Sequence, residues 1–294
     1  MVPTDFSPPA SRALDRALRL PLSDDAIVTL YHVIPLGIPV KFENAMWAEA
    51  RKTLTIQAMT AETALRNIHG VPIRVISEVA RGKPSVEILE RARQDESEII
   101  VLGRHGRRGI RELFLGSTAE RIVRIGSVPA LVVLAPTATP YKTPLATIDG
   151  SEESDSALDL MMRVLTAPIG TIDAIHAYEI PFENILTKAG VSLLELAQNK
   201  AETRKMGWNL IQNAVAEHRR AARFNTILRV GDPRRVIIEE VASEKQKHDL
   251  VALGRRGRTQ LPHLLLGGVA EAILRAAPTD MLFGPLDRSN FSLL

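Results

Sequence analysis

The sequence predicts an α/β protein built from two tandem, doubly wound parallel sheets. Three observations point there: the chain repeats itself, each half alternates strand-like and helix-like segments, and several strands are apolar throughout. Aligning Asp5-Phe6-Ser7 with Asp149-Gly150-Ser151 sets an offset of 144 residues, at which Ala13-Leu14-Asp15 meets Ala157-Leu158-Asp159 and His32 meets His176. Gly82-Lys83-Pro84 meets Gly231-Asp232-Pro233 at an offset of 149, and Leu102-Gly103-Arg104 meets Leu253-Gly254-Arg255 at 151, with Gly116 on Gly267. The offset grows only between elements, where loops and helix ends accept insertions. The Pro/Thr-rich segment from Pro136 to Pro144 joins the copies, so the expected domains are residues 1–138 and 139–294.

The elements of the first copy follow in order. Ser7-Pro8 reads as an N-cap with proline at N1, ahead of a helix with Ala10, Ala13, Leu14, Ala17 and Leu18 on its apolar face. Ala26–Val33 is a short apolar run suited to a buried strand. A long amphipathic stretch from about Glu43 ends at Gly70, a residue fitted to a left-handed helix stop. Ile73, Val75 and Val79 alternate as in a half-buried strand. Gly82-Lys83-Pro84 opens a helix expected to bury Val86, Leu89 and Ala92. Glu98–Leu102 and Ala130–Leu134 are apolar runs typical of parallel strands covered on both faces, and a helix from Ser117 to about Ile125 lies between them. Strand and helix therefore alternate from end to end, as right-handed crossovers require.

Composition narrows the function classes. The 294 residues contain no cysteine, which excludes disulfides and thiolate metal sites and suits a reducing cytoplasm. No charged-then-apolar leader and no apolar run of about 18 residues is found, so neither export nor membrane spanning is supported. The net charge is +3, and aromatic residues make up 4%, too few for a base-stacking platform. Nucleic acid is therefore not an expected partner. No pair of histidines or carboxylates has zinc-like spacing. His32 and His176 recur at matched strand ends and read as satisfied structural histidines.

The chemistry concentrates in Gly103–Ser117, GRHGRRGIRELFLGS. In a doubly wound sheet, ligands sit outside the carboxyl ends of the strands, and this segment follows such an end. Gly103 and Gly106 would let backbone approach a ligand closely. Gly116 and Ser117 open a helix, whose free N–H groups and dipole favour an anion. Ser117-Thr118-Ala119-Glu120 also fits a capping box, with Ser117 as N-cap. The segment is neither a Walker A loop nor a G-x-G-x-x-G turn. Arg104, Arg107, Arg108 and Arg111 could meet phosphates or an acidic partner, but such a run is more often a solvated loop, and His105 among them reads as exposed.

Gly103-x2-Gly106-x9-Gly116-Ser117 resembles the ATP-binding signature of the universal stress protein family, G-x2-G-x9-G-S/T. The resemblance extends to Pro3-Thr4-Asp5-Phe6-Ser7, His32-Val33, Gly82-Lys83-Pro84, Ile99–Gly103 and Val128–Val133, and covers nearly the whole chain in tandem form. It implies a five-stranded parallel sheet of order 3-2-1-4-5 in each copy, like that of the adenine nucleotide alpha hydrolases. It also implies ATP, ADP or AMP, with Mg²⁺ as a companion ion, at the carboxyl edge. Asp5, with Pro3 and Thr4 before it, would meet the ribose or adenine side, and backbone near Val33 would read the adenine edge. Leu102, Gly103 and Gly106 would line the ribose and phosphate path, and Gly116, Ser117 and Thr118 would hold phosphates. Family precedent further implies pairing through the last strands, here as an intramolecular pseudo-dimer, with a homodimer of such chains as a further step.

The second copy departs from the signature. Asp149, Gly254, Gly257 and Gly267 are retained and Ala177 takes the Val33 place, but Gly268 replaces the hydroxyl residue. Pro262 and His263 interrupt the x9 segment, and Thr279–Gly284 is a less regular last strand. Losing one hydroxyl bond to a charged phosphate costs about 1.5–3 kcal/mol. A full site in repeat 1 and a weakened one in repeat 2 are expected. Only Met1-Val2 precede Pro3-Thr4-Asp5, so residues upstream are also expected.

Three functions compete. The first is an adenine-nucleotide-binding stress or regulatory protein in which binding, not turnover, is the main activity. The second is a weak ATPase or an enzyme that phosphorylates itself on Ser117 or Thr118; no general base is evident for it. The third is a nucleotide-free interaction scaffold, which the altered second copy favours for that half.

Overall fold

The structure, a computed structural model, describes residues 1–104, 116–134, 139–180, 189, 191–243, 247–257, 266–276 and 278–285. Repeat 1 runs β1 (Val2–Pro3), α1 (Pro8–Ala17), β2 (Ile27–Pro35), α2 (Val40–His69), β3 (Arg74–Gly82), α3 (Pro84–Gln94), β4 (Ile100–Gly103), α4 (Ser117–Ile125) and β5 (Ala130–Val133). Repeat 2 runs β6 (Pro144–Thr147), α5 (Glu152–Val164), β7 (Thr171–Tyr178), α6 (Leu193–Ala216), β8 (Arg223–Val230), α7 (Pro233–Val241), β9 (Leu250–Leu253), α8 (Gly268–Ala276) and β10 (Asp280–Phe283).

The local signals work as their chemistry requires. Ser7 caps α1 by accepting from the Ala10 N–H at 3.4 Å, with Pro8 at N1, and Ser151 caps α5 from the equivalent place. Gly70 ends α2 at φ +76°, its N–H donating to the Arg66 carbonyl. One expectation fails on α3. Its buried face is Ser85, Ile88 and Ala92, while Val86 is 45% exposed. The helix is rotated so that Leu89 only flanks the core.

In repeat 2 the strands lie in the order β8-β7-β6-β9-β10, which is 3-2-1-4-5, with every neighbour parallel. Repeat 1 builds the same succession from two ladders, β3-β2-β1 and β4-β5. The bond from the Val101 N–H to the Met1 carbonyl, 2.9 Å, links them. The break has a local cause: β1 is two residues long and its second residue is a proline, which has no N–H to donate.

The segment Thr279–Gly284 is more regular than its sequence suggests. Asp280–Phe283 is buried throughout and pairs antiparallel with β5, Met281 on Val132, Leu282 on Leu131 and Phe283 on Ala130. Each repeat's last strand thereby covers the other's exposed edge. Two cores result, one on each face of the sheets, and both repeats contribute to each. Ala13, Leu54 and Leu65 of α1 and α2 share one core with Leu158, Met161 and Ile211 of α5 and α6. Ile88 and Ile122 of α3 and α4 share the other with Ile237 and Ile273 of α7 and α8.

Candidate functional site

At the carboxyl end of β1 the backbone is held from the side by β2. The Thr4 N–H donates to the Tyr31 carbonyl (2.9 Å), and His32 Nδ1 lies 2.8 Å from the Thr4 carbonyl oxygen. A carbonyl only accepts, so Nδ1 carries the proton. Repeat 2 copies the device: Ile148 N–H to the Ile175 carbonyl at 2.8 Å, and His176 Nδ1 to the Ile148 carbonyl at 2.7 Å. Both histidines are thus strand-end braces. Asp5 follows, half-buried, and its Oδ1 accepts the Ser7 N–H at 3.1 Å. Asp149 accepts both the N–H and the hydroxyl of Ser151, at 2.9 and 2.6 Å. Phe6 stands at φ +61° where the second copy has Gly150 at φ +81°, and its ring stacks on His32 with centroids 4.4 Å apart. Pro3 is buried and Thr4 half-buried. The Val33 and Ala177 side chains belong to the core, which leaves only their backbone for a ligand.

The carboxyl ends of β4 and β9 carry the glycines. Leu102 is buried. At Gly103 a Cβ would stand 2.5 Å from the Pro9 carbonyl oxygen, and at Gly254 it would stand 3.0 Å from Glu153 Cβ and the Ser154 nitrogen. The close approach these two glycines make within the protein is to the first turn of α1 or α5. A hydrogen bond then draws each loop together at its base, from the Gly116 N–H to the Arg104 carbonyl (2.8 Å) and from the Gly267 N–H to the Arg255 carbonyl (2.7 Å). Gly106, His105, Arg107, Arg108 and Arg111 lie outside the described residues, as do Pro262 and His263.

The start of α4 also departs from expectation. Gly116, extended at φ −62° and ψ 141°, is the N-cap, and no side chain caps the helix. Ser117 is exposed at N1, and Thr118 is half-buried beside it. Glu120 does not reach back; it binds Arg124 at 2.9 Å. The N–H groups of Ser117, Thr118 and Ala119 thus lack intrahelical acceptors, at the sheet edge where Asp5 also lies. In repeat 2, Gly268 opens α8 without a hydroxyl, and Arg234 Cδ lies 3.3 Å from where its Cβ would be.

Arg104 is neither a solvated nor a phosphate-facing residue. It is 4% exposed, and its Nη2 donates to the carbonyls of Leu274 (3.4 Å) and Arg275 (2.8 Å), in the last turn of α8. Its counterpart Arg255 is fully buried and donates to the carbonyls of Val123 (3.1 Å), Gly126 and Val128 (2.5 Å), at the end of α4. Burial pulls the Arg255 guanidinium down to about 9, with the Glu153 charge opposing. A second cross-repeat contact also escaped sequence reasoning. Asp280 of β10 accepts from the Leu134 N–H and the Tyr141 hydroxyl, each at 2.8 Å, and its Oδ2 lies 3.3 Å from Arg16 Nε. That last contact is an ion pair without hydrogen-bond geometry. Arg16 also lies over the Tyr141 ring at 3.8 Å and donates to the Thr139 carbonyl.

A cavity of about 790 Å³ lies between α6 and the carboxyl ends of β7 and β8, lined by Tyr178, Arg204, Lys205, Trp208 and Val230. It lies beside the Ala177 strand end rather than at the glycine loop. Among the described residues no group of three or more His, Asp or Glu could hold a metal, and no helix is long and apolar enough to cross a membrane.

Set against known proteins, the chain matches the universal stress protein family model twice, over residues 1–133 and 140–283. It is 29% identical over 140 residues to a universal stress protein of Methanocaldococcus jannaschii, covering 46% of this chain and 81% of that protein. A universal stress protein of Mycolicibacterium smegmatis is 22% identical over 317 residues, covering 96% of this chain and 95% of its own length. The crystal structure of a universal stress protein from Archaeoglobus fulgidus superposes with a TM-score of 0.70 at 18% identity, covering 97% of each chain, a likeness of fold.

Proposed function

Because the chain belongs to the universal stress protein family, we propose that it is a regulatory protein that binds an adenine nucleotide, ATP, ADP or AMP, at the carboxyl edge of repeat 1. The observation that carries the reading is the uncapped start of α4. Three backbone N–H groups, the positive end of the helix and the exposed Ser117 hydroxyl meet at one place, which is the donor set a phosphate chain needs. Asp5 at the adjoining strand end supplies an acceptor for ribose hydroxyls or the adenine amine, and the Val33 backbone supplies the adenine edge. Leu102 and Gly103 lie along the path between, Gly106 would continue it, and Pro3 and Thr4 hold the strand end in place. Among the described residues no carboxylate cluster stands by, so Mg²⁺ would ride on the phosphates and water. Nucleotide acts here as a ligand that shifts conformation or partner binding.

Repeat 2 is the weaker site. Asp149, Ala177, Gly254, Gly257 and Gly267 keep the positions of the first copy's site residues, while Gly268 lacks the hydroxyl. The antiparallel pairing of β5 with β10 and the exchanged arginine caps support an intramolecular pseudo-dimer of domains 1–138 and 139–294. Homodimerisation of whole chains and a cytoplasmic location complete the reading.

Thermal-shift and calorimetric titration with ATP, ADP, AMP and GTP test it. Stabilisation by the adenine nucleotides, lost in Gly116→Val, is the expected result. No shift with any nucleotide would favour the scaffold function, and turnover well above the variant's background would favour an ATPase.

A further inference from the structure

The two glycine loops differ in what already occupies them. In repeat 2 the segment Gly254-Arg255-Arg256-Gly257 leaves β9 directly over the first turn of α5, whose second residue is Glu153. The Arg256 backbone N–H donates to Glu153 Oε2 at 2.7 Å, and Arg256 Nε donates to Oε1 at 2.6 Å. Both side chains are shielded, 19% exposed for Arg256 and 14% for Glu153. One carboxylate thus binds a loop amide and a loop guanidinium together. One residue on, Gly257 stands at φ +75°, and a Cβ there would lie 2.7 Å from Asp149 Oδ2. Two acidic side chains therefore lie against this turn.

Repeat 1 cannot make the Glu153 contact. The residue that packs on Gly103 as Glu153 packs on Gly254 is Pro9, which carries no charge and no acceptor beyond its backbone carbonyl. We propose that Glu153 is a built-in anion that takes the Arg256 amide and guanidinium, the donors a phosphate entering the second loop would otherwise meet, and so decides which of the two loops accepts nucleotide. A carboxylate and a phosphate compete for the same donors. The carboxylate is tethered, so it competes at a high effective concentration, and its charge also repels the incoming phosphates. The inference rests on the reading that repeat 1 takes nucleotide at its own loop, and it makes Glu153, together with Gly268, the determinant of the difference between the copies.

The test uses the full chain and three substitutions: Glu153→Gln removes the charge, Glu153→Ala removes the side chain's acceptors, and Glu153→Pro copies repeat 1. ATP is titrated by calorimetry, and the Arg256 amide is followed by NMR in ¹⁵N-labelled protein. The wild type should bind one ATP per chain with the Arg256 amide unmoved. The variants should gain a second site, on the order of tenfold or more tighter than any binding at wild-type repeat 2, and the Arg256 amide should then shift with ATP. One ATP per chain in the wild type and in all three variants would overturn this proposal alone. So would a wild-type Arg256 amide that already titrates with ATP. A wild type that binds none beside variants that bind one would overturn the repeat 1 reading, and with it the choice between two loops, while upholding Glu153 as the anion that blocks repeat 2. No binding in any chain overturns both.

Discussion

Arg104 and Arg255 hold the same place in their two repeats, and each crosses to the other repeat to cap a helix there. Arg104 donates to carbonyls at the end of α8, and Arg255 to carbonyls at the end of α4. A cation at a helix C-terminus meets both unpaired carbonyls and the negative end of the dipole. The backbone carbonyl of each arginine also accepts the N–H that draws its own glycine loop together. The candidate phosphate loop of one repeat and a helix end of the other are therefore fixed by a single residue.

Removing the buried cap should be costly. Arg255→Met leaves the carbonyls of Val123, Gly126 and Val128 without their donor and is expected to lower stability by about 3 kcal/mol. Arg104→Met, which loses two acceptors, should cost about half as much. Urea denaturation of the two variants checks the ranking, and equal or negligible losses would contradict the capping role.

The buried cluster at the junction should behave as a single lock. Asp280→Asn keeps the shape but takes the charge away from Arg16, and a loss of about 3 kcal/mol is expected for a buried cation left without its partner. Burial, with the Asp280 charge next, holds the Tyr141 hydroxyl well above its ordinary range, so it remains a donor throughout the neutral region. Tyr141→Phe should accordingly destabilise less than Asp280→Asn, and thermal melts of the two give the comparison.

A pH dependence follows from Glu271, which binds Arg275 within α8 at 2.7 Å and Arg124 of α4 at 2.7 Å. Burial pushes its carboxyl up, but the hydrogen bonds from Arg275 and Arg124, with their charges, outweigh burial and hold it below the ordinary 4.5. The unfolded state thus takes up a proton more readily than the folded one. The contribution is present in full above 4.5 and is lost as pH falls through the lower folded value. Glu271→Gln should therefore cost about 0.5–1 kcal/mol at neutral pH and progressively less as pH falls below 4.5. A cost independent of pH would contradict the ion-pair account.

The first glycines of the two loops should differ in tolerance. Gly103→Ala places a methyl 2.5 Å from the Pro9 carbonyl oxygen, which has no rotamer to escape into, whereas Gly254→Ala meets its nearest atoms at 3.0 Å. A loss of about 1–3 kcal/mol is expected at Gly103, with a smaller one at Gly254. Denaturant midpoints would show it.

Much of this was legible because it is local or periodic. The Ser7-Pro8 cap, the Gly70 stop and the bounds of α4 depend on residues within one turn of each other. The duplication then transfers each reading to the second copy. The contacts that escaped have partners far away in sequence: Arg255 with Val123 and Gly126, and Asp280 with Arg16. Arg104 looked like part of a solvated basic run because nothing in its neighbourhood announces α8. The Ser117 reading failed for a subtler reason. Ser-x-x-Glu fits a capping box wherever the backbone turns helical one residue later, but Gly116 makes that turn itself, which places the serine inside the helix and frees its hydroxyl. Glu153 could have been noticed by aligning the repeats, since Pro9 stands opposite it, but its meaning depends on the loop passing directly above.

The central claim is that nucleotide binds at the α4 edge of repeat 1, and amide-shift mapping of the ¹⁵N-labelled chain with ATP tests it most directly. The account predicts shifts at Asp5, at Leu102 and Gly103, and at Gly116–Thr118, all weakened by Ser117→Ala, with Met281–Phe283 unmoved. Shifts confined to the Tyr178–Trp208 cavity, or no shifts at saturating ATP, would contradict it.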